Sequence, residues 1–389
     1  MDDIQRQMRI AAAHRRHILT VTSTTDDRRI NRNENVTISA AAARRRNAAN
    51  SVGRTSGQID QRKGTGRGTV PTDKDTGMGT NTDTNQEEPS QPFVDEIRSE
   101  GLTFCGFDTK RQGTYQKDTT EGRFRALYGT SSLAAAKLHR DLHQLDEAYR
   151  IGKFKLKYFF MTLYWLKAYP TYIHFEAFWS TRFTSIGDVL KTYVKAIQQL
   201  KDLKIQWFEE GELDDDDIFI ISVDGVHCRV REVRKDPGTK WYSHKSHGAA
   251  LTYELAIAIR QNRLVSIKGP YPASKNDLTI FRCGDGDKNN PQPALKDKIP
   301  DGKRAIADSI YRPEDGKTVS ITRRGDSTAV KEFKARAKSR QETFNRRIKS
   351  FHILATEFRH DISHHQMVME AVCILCQYDI ENGHGLFEV

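Results

Sequence analysis

The sequence predicts an α/β protein with a mixed sheet flanked by helices, preceded by an all-α region and a disordered N-terminal tail. Three observations predict this order. Residues 1–92 are polar, poor in aromatic side chains and without sustained periodicity, which is typical of disorder. Residues 93–210 carry apolar side chains at helical spacing, and residues 211–389 begin with β-type apolar runs. We therefore expect region boundaries near residues 92 and 210.

Composition narrows the class of protein. The 389-residue chain has a formal net charge of +11 and a pI near 9.3, which favours polyanionic partners such as nucleic acid. No apolar run approaches the roughly 20 residues of a membrane span, and the N-terminus shows no secretory core. Five scattered cysteines do not form a disulfide framework, so a reducing compartment, cytosol or nucleus, fits best.

The tail and the helical region each allow a DNA-related interpretation and a plain one. Basic runs such as Arg44–Arg46 fit a nuclear address or a nucleic-acid arm, and equally a solvated tail. Residues 154–168 predict an apolar helix that ends before Pro170. The segment "YIHFEAFWS", a break and the helix "TSIGDVLKTYVKAIQQLKDL" form a helix-turn-helix-like unit, whose outer face carries Lys191 and Lys195. An ordinary helical bundle with a solvated face remains the alternative.

The third region changes from helical to strand periodicity. Strands are predicted at 218–226, about 248–259, 263–268 and 303–308, with a helix at about 275–282. A long basic helix at about 328–351 and a final helix near 365–378 follow. Three meandering strands, a helix, a further strand and then helices form the order of a ribonuclease-H-like catalytic core.

Acidic residues stand at the ends of the predicted elements. Asp224 follows the first apolar strand, Asp308 follows the last, and Glu342 lies in the basic helix. If the two strands are neighbours and the helix packs across them, these carboxylates converge. Such a cluster needs a hard cation, because like charges raise one another's pKa. Mg²⁺ prefers oxygen ligands, and two ions about 3.5–4 Å apart can promote phosphodiester cleavage.

Each acid taken singly has a plainer explanation. A strand-terminal aspartate is more often a turn or cap residue. Glu342 could simply pair with Lys338 or Arg346, four residues away in either direction. The pair Cys373 and Cys376 lies on an apolar helical stretch, which favours buried small side chains over a zinc or redox site. The order of the three acids, separated by 84 and 34 residues, is therefore what supports an active site.

The segments "VDGVHCRV", "IKGPYPASKNDLTIFR", "AIADSIYRP" and "SRQETFNRRIKSFHIL" resemble, in this order, the PIF/Harbinger-type DDE transposases, the DDE superfamily endonucleases. The resemblance extends over roughly residues 95–389. It implies DNA cleavage and strand transfer that depend on two Mg²⁺ or Mn²⁺ ions. It makes Asp224, Asp308 and Glu342 the catalytic and metal-binding residues, with Asp277 in support.

The same resemblance implies partners and a location. Double-stranded DNA, as element ends and target site, is the expected substrate, with a Myb-like DNA-binding protein as a possible partner. We also expect a homo-oligomer, action in the nucleus and no membrane association. The basic residues that we expect to hold DNA are Lys191, Lys195, Lys245, Lys338, Arg340, Arg346 and Arg347.

Two departures from the family pattern leave a second function open. Ile310 stands two residues after Asp308, where the family usually has glycine, and it would be strained if the turn required a positive φ. The helix reads Gln341-Glu342-Thr343 where Val-Glu-Arg is common. The alternative is a domesticated DNA-binding or chromatin-associated protein that keeps the fold without the chemistry.

Overall fold

A computed structural model of the chain describes residues 88–107, 117–149, 155–233, 236–283 and 293–389. Residues Glu88–Val389 form one compact unit. The predicted disordered tail lies outside the described residues except for residues 88–92, and the first helix already begins at Gln91.

Seven helices precede the sheet in the described part of the chain. They are α1 (Gln91–Phe104), α2 (Lys117–Tyr128), α3 (Ser132–Tyr149), α4 (Leu156–Ala168), α5 (Tyr172–Trp179), α6 (Phe183–Gln199) and α7 (Lys201–Lys204). The predicted end of α4 is confirmed: Tyr169 adopts a left-handed conformation with φ of 42°, and Pro170 follows.

Helices α5 and α6 occupy the segment predicted as helix-turn-helix-like. Helix α5 begins after Thr171, whose side chain accepts a hydrogen bond from the His174 N–H. Helix α6 begins at Phe183, one residue before the segment predicted as helix, without a side-chain cap. Its C-terminal end is bound to the last helix of the chain, because Gln198 and Lys201 both donate to Glu370. The element types are confirmed, and DNA reading by this unit stays a prediction.

The sheet has six strands: β1 (Phe219–Arg229), β2 (Tyr242–Ser243), β3 (Gly248–Ala258), β4 (Leu264–Pro272), β5 (Arg304–Ile306) and β6 (Val319–Ser320). Strand β1 lies between β3, which is antiparallel, and β5, which is parallel. Strand β4 is antiparallel to β3, and β6 is parallel to β5. This mixed sheet is consistent with a ribonuclease-H-like core. All four predicted strands exist. Strand β6 was not predicted, because its two residues lie in a polar loop and are too few to show a periodic pattern.

The remaining helices flank the sheet. They are α8 (Gly238–Trp241), α9 (Asp277–Arg282), α10 (Leu295–Lys298), α11 (Thr328–Lys349), α12 (His352–Ala355) and α13 (His365–Glu381), with 3₁₀ helices at Ser309–Glu314 and Ile362–His364. Ser327 starts α11 by accepting a hydrogen bond from the Val330 N–H. Helix α13 is buried along almost its whole length, and Cys373 and Cys376 are buried in it, as expected.

One apolar core joins the helical region to the sheet. It contains Leu163 of α4, Val194 of α6, Leu255 of β3 and Val372 of α13. A second cluster on the strands β1, β3 and β5 includes Phe281 of α9 and Tyr311 of the 3₁₀ helix. The predicted boundary near residue 210 stays a prediction, and the first core is continuous across it. Among the described helices, none has both the length and the apolar character needed to cross a membrane.

The burial of His365 predicts a loss of stability in mild acid. Its ring is fully buried, and Nδ1 lies 2.8 Å from the Tyr253 hydroxyl. Burial, with a contribution from Lys349, lowers the pKa of His365 to about 3. In the unfolded chain the pKa of histidine is about 6.5, so below that pH the unfolded state binds a proton that the folded state does not. We expect this group alone to lower the free energy of unfolding by about 2 kcal/mol between pH 7 and pH 5.

Urea unfolding at pH 7, 6 and 5 measures this effect. The variant His365→Phe is expected to be less stable at pH 7 but to lose less stability towards pH 5. The variant His352→Gln removes an exposed histidine and should leave the pH dependence of wild type unchanged. Equal pH dependence in wild type and His365→Phe would contradict the prediction.

Candidate active site

Asp224 and Asp308 stand at matched positions where the parallel strands β1 and β5 separate. The last pair in the register joins Ser222 to Ile306, and each aspartate is two residues further along its chain. The predicted adjacency of the first and last strands is therefore confirmed. The expectation that Asp224 ends its strand is wrong, because β1 continues to Arg229 with β3 as its partner. At Asp224, β1 is therefore paired with β3 along one edge and has no strand partner along the edge that β5 occupies earlier.

The start of the 3₁₀ helix holds the Asp308 carboxylate. Asp308 is exposed, and its Oδ1 accepts a hydrogen bond from the Ile310 N–H at 2.9 Å. Ile310 lies inside this helix, and its φ is not positive. The substitution of isoleucine for the family glycine therefore introduces no backbone strain here, so this departure does not argue against a functional site.

Asp277 lies against the backbone of β1 next to Asp224. It is the first residue of α9 and is 7% exposed. A Cβ atom added to Gly225 would be 2.5 Å from Asp277 Oδ1, so only glycine leaves room for this carboxylate. Asp277 thus lies beside Asp224, and its expected supporting role stays a prediction.

Two contacts tie the helix of Asp277 to the segment of Asp308. The rings of Phe281 and Tyr311 meet edge to face with centroids 5.5 Å apart. Arg282 Nε lies 2.6 Å from Glu314 Oε1. Both contacts join α9 to the 3₁₀ helix and so hold the segments of the two aspartates next to each other.

The three aspartates share one electrostatic environment. The pKa of Asp224 is raised to about 6, chiefly by burial, with Asp277 and Asp308 adding to the rise and Lys245 opposing it. Burial also raises the pKa of Asp277, again with Asp308 adding to the rise and Lys245 opposing it. The ammonium of Lys245 lies 3.7 Å from Asp277 Oδ2 and partly neutralises this aspartate. The site therefore favours bound positive charge.

Helix α11 presents amides to the site, and Glu342 is on its outer side. Asn345 Nδ2 donates to Asp224 Oδ2 at 2.8 Å, and Gln341 Oε1 accepts from Ser222 Oγ at 2.8 Å. Gln341 is buried, whereas Glu342 is exposed. One residue is about 100° of helix rotation, so Glu342 projects to one side of the direction in which Gln341 points. Among the described residues no three acidic side chains are arranged to hold a metal ion, and the role of Glu342 stays a prediction.

The inward amides could have been found from the sequence. The buried Phe344 and Ile348 mark the inner side of α11, and Gln341 and Asn345 stand three residues before each of them. Residues three and four apart share one face of a helix. Glu342 was predicted from its charge, whereas this periodicity identifies Gln341 and Asn345 as the inward side chains.

The predicted DNA-binding residues divide into two groups. Lys195, Lys245 and Arg346 are exposed, Lys191 and Lys338 are partly exposed, and their DNA contacts stay predictions. Arg340 is a correction, because its buried guanidinium donates to the Ala258, Ile259 and Gln261 carbonyl oxygens. Arg347 likewise donates to the carbonyl oxygens of His384 and Gly385. Both arginines therefore hold segments of the protein in place. The Arg340 guanidinium is buried, and the DNA contact of the partly exposed Arg347 stays a prediction.

The donor set allows a limited fit to a divalent cation. Among residues 88–389, as far as they are described, no group of three or more His, Cys, Asp or Glu side chains is arranged to hold a metal ion. Two adjacent aspartates remain, and their hard oxygen atoms suit Mg²⁺, which usually binds one or two carboxylates and takes its other ligands from water and phosphate. The residues present therefore fit one such ion better than two.

The fold and the site define an α/β protein with paired carboxylates at the point where two parallel strands separate. Residues 223–377 match the family model described as DDE superfamily endonuclease. The match covers less than half of the chain, includes Asp224, Asp277 and Asp308, and supports a DDE transposase-family protein. No curated protein and no solved structure matched the chain.

The close packing of Gly225 against Asp277 gives a test of the site's construction. We expect Gly225→Ala to lower the free energy of unfolding by about 1–3 kcal/mol, because the added methyl group overlaps the Asp277 carboxylate. Combining it with Asp277→Ala should remove most of that cost, since the obstructing atoms are then absent. A double-mutant cycle from denaturant unfolding measures the coupling.

Gly122→Ala is the matched control. Gly122 lies within α2, and a Cβ there would meet nothing within 4 Å. This change should stabilise the protein by about 0.5–1 kcal/mol, as alanine does in a helix. If the costs of Gly225→Ala and Asp277→Ala simply add, the described contact is not the source of the effect.

Proposed function

We propose that the protein is a metal-dependent DNA endonuclease, with Asp224 and Asp308 as the carboxylates that hold Mg²⁺ or Mn²⁺. The observation that carries the proposal is their matched position beyond the last pair of β1 and β5, inside the segment that matches the endonuclease family. Adjacent parallel strands bring the two carboxylates to one edge of the sheet on a rigid scaffold, which metal-assisted hydrolysis requires.

The residues of the chain have separate tasks in this proposal. The Gly225 N–H and the Asn345 amide fix the two oxygens of Asp224. The Ile310 N–H fixes Asp308. A bound divalent cation would supply the positive charge that activates water and stabilises the leaving oxygen of a phosphodiester. Lys245 beside Asp277 and Lys338 beside Asp308 would bind the phosphates that flank the cut.

Loss of one carboxylate tests the proposal directly. Full-length protein with Mg²⁺ or Mn²⁺ is expected to nick supercoiled plasmid DNA, and element-end DNA where known. Asp308→Asn should lower the nicking rate by more than about 100-fold, because even residues that only support a metal ligand cost 10–100-fold. Asp308 is exposed, so the variant should fold, which a thermal melt checks. Nicking by Asp308→Asn at the rate of wild type would show that the site is assigned wrongly.

The exposed basic residues give a second test. We expect Lys338→Ala and Arg346→Ala each to weaken binding to duplex DNA. Each should also reduce the magnitude of the slope of log K against log [salt] by about one. Lys338 lies close enough to Asp308 for that charge to act on its pKa. Fluorescence anisotropy at several salt concentrations measures both quantities.

Arg340 provides the contrast. Because its guanidinium is bound to backbone carbonyl oxygens, Arg340→Met should lower the free energy of unfolding. For the folded fraction it should leave the salt dependence of DNA binding unchanged. If the salt dependence of DNA binding changes in Arg340→Met and does not change in Arg346→Ala, Arg340 and not Arg346 contacts DNA.

A DNA-binding protein without cleavage is the second candidate. The neutral amides of Gln341 and Asn345 on the inner side of α11 favour it, because they place no charge where a third carboxylate would help to bind metal. Retained DNA binding in EDTA, with no nicking under any divalent ion, would favour this candidate over the endonuclease.

The finer expectations belong to the same proposal. They are the Harbinger type, transfer of a 3′-hydroxyl to target DNA, a Myb-like partner, a homo-oligomer and action in the nucleus. The motif order in residues 223–389 and the basic charge of the chain support them. The α5–α6 unit, with Lys191 and Lys195, is proposed as an additional DNA-binding surface.

A further inference from the structure

A chain of side-chain hydrogen bonds links β1 to α11 at the site. Ser222 Oγ donates to Gln341 Oε1 at 2.8 Å, Gln341 Nε2 donates to Asn345 Oδ1 at 3.4 Å, and Asn345 Nδ2 donates to Asp224 Oδ2 at 2.8 Å. Each amide therefore uses both its oxygen and its nitrogen, and the final donor ends on the carboxylate. This fixes the direction of both amide groups without further assumptions.

The geometry of strand and helix explains why these four residues match. Ser222 and Asp224 lie two residues apart on one face of β1, a rise of about 6.6 Å. Gln341 and Asn345 lie four residues apart on one face of α11, a rise of about 6 Å. Helix α11 therefore places Gln341 opposite Ser222 and Asn345 opposite Asp224. Glu342 takes no part in this pairing.

The charges around the cation position follow from the same contacts. Asp224 and Asp308 contribute two negative charges. The third aspartate, Asp277, is paired with Lys245 at 3.7 Å. Helix α11 adds the amides of Gln341 and Asn345 and the charge of Lys338, on which Asp308 acts, and Glu342 is exposed. Two carboxylates balance the charge of one divalent cation and leave a second ion without a ligand from this helix.

We infer that Asn345, held by Gln341 and Ser222, is a positioning residue for Asp224, and that the chain by itself binds a single divalent cation through Asp224 and Asp308. The inference rests on the proposed function, because it states how that metal site is built. It departs from the expectation of two ions and of Glu342 as a ligand.

Mn²⁺ binding to the full-length protein tests the inference without DNA. Electron paramagnetic resonance gives free Mn²⁺, and thus the number of ions bound and their affinity. We expect one ion for each chain. Asn345→Leu, which keeps the branched shape of the side chain and loses the hydrogen bond, should weaken the affinity by about 10–100-fold, as is usual for loss of a group that orients a metal ligand. Glu342→Gln should change it by less than about twofold, since the inferred site takes no ligand from that residue.

Asn345→Asp gives a readout that a merely structural residue would not produce. It places a carboxylate where the amide nitrogen lies 2.8 Å from Asp224 Oδ2, so like charges repel without metal. Its melting temperature should therefore be below that of wild type in EDTA. Mn²⁺ should raise it by more than it raises wild type, with a tighter or an additional bound ion. This variant also keeps the test decisive if Asn345→Leu does not fold.

The outcomes separate this inference from the proposed function. Two bound ions, one of them lost in Glu342→Gln, would overturn the inference, and nicking by wild type would leave the endonuclease proposal intact. Unchanged Mn²⁺ affinity in Asn345→Leu, or no extra stabilisation of Asn345→Asp by Mn²⁺, would overturn it as well. If wild type neither binds Mn²⁺ nor nicks DNA, both the inference and the endonuclease proposal are wrong.

Discussion

The parallel pairing of β1 with β5 is the constraint on which the site depends. It is short, and it ends at Ser222 and Ile306. Because both strands run in the same direction, their next residues leave the sheet at one edge, and Asp224 and Asp308 stand there together. Strand β3 continues to support β1 beyond that point, so Asp224 stays fixed even though β5 has ended. The two carboxylates repel each other. The backbone hydrogen bonds of the sheet keep them close, because these bonds form whether or not the carboxylates are charged.

Around this edge, each neighbouring element contributes one type of interaction. Helix α9 brings Asp277 against the bare backbone of Gly225, and the contact of Phe281 with Tyr311 keeps that helix next to the 3₁₀ segment of Asp308. The residues before β3 bring Lys245, which offsets part of the negative charge. Helix α11 brings amides that orient Asp224. The result is a site with fewer charges than three converging acids would give, and this reduced charge is the basis for proposing one cation.

The basic character of α11 also has two distinct physical origins. Arg340 and Arg347 bind carbonyl oxygens at loop ends and at the C-terminal segment, where a guanidinium satisfies several acceptors at once. Lys338 and Arg346 remain on the accessible side of the helix. A count of positive charges in the sequence treats these four residues alike. Lys338 and Arg346 are the pair whose charges are not used to bind carbonyl oxygens of the protein.

The sequence by itself determined the elements of the fold. Apolar periodicity located four strands and the long helices, and the change of period near residue 218 separated the helical part from the sheet. It also placed Asp224 and Asp308 on neighbouring strands, because the order of strands restricts which of them can pair. The type of each long element depends on local patterns that the chain carries within about ten to twenty residues.

The tertiary structure decided which side chains face one another. The rotation of α11 about its own axis is set by the burial of Phe344 and Ile348, and this rotation selects Gln341 and Asn345 over Glu342. The extension of β1 past Asp224 depends on its partner β3, which is distant in sequence. The burial of Arg340 depends on the loop after β3. The extension of β1 and the burial of Arg340 rest on contacts between distant segments, so no local pattern of the sequence could fix them.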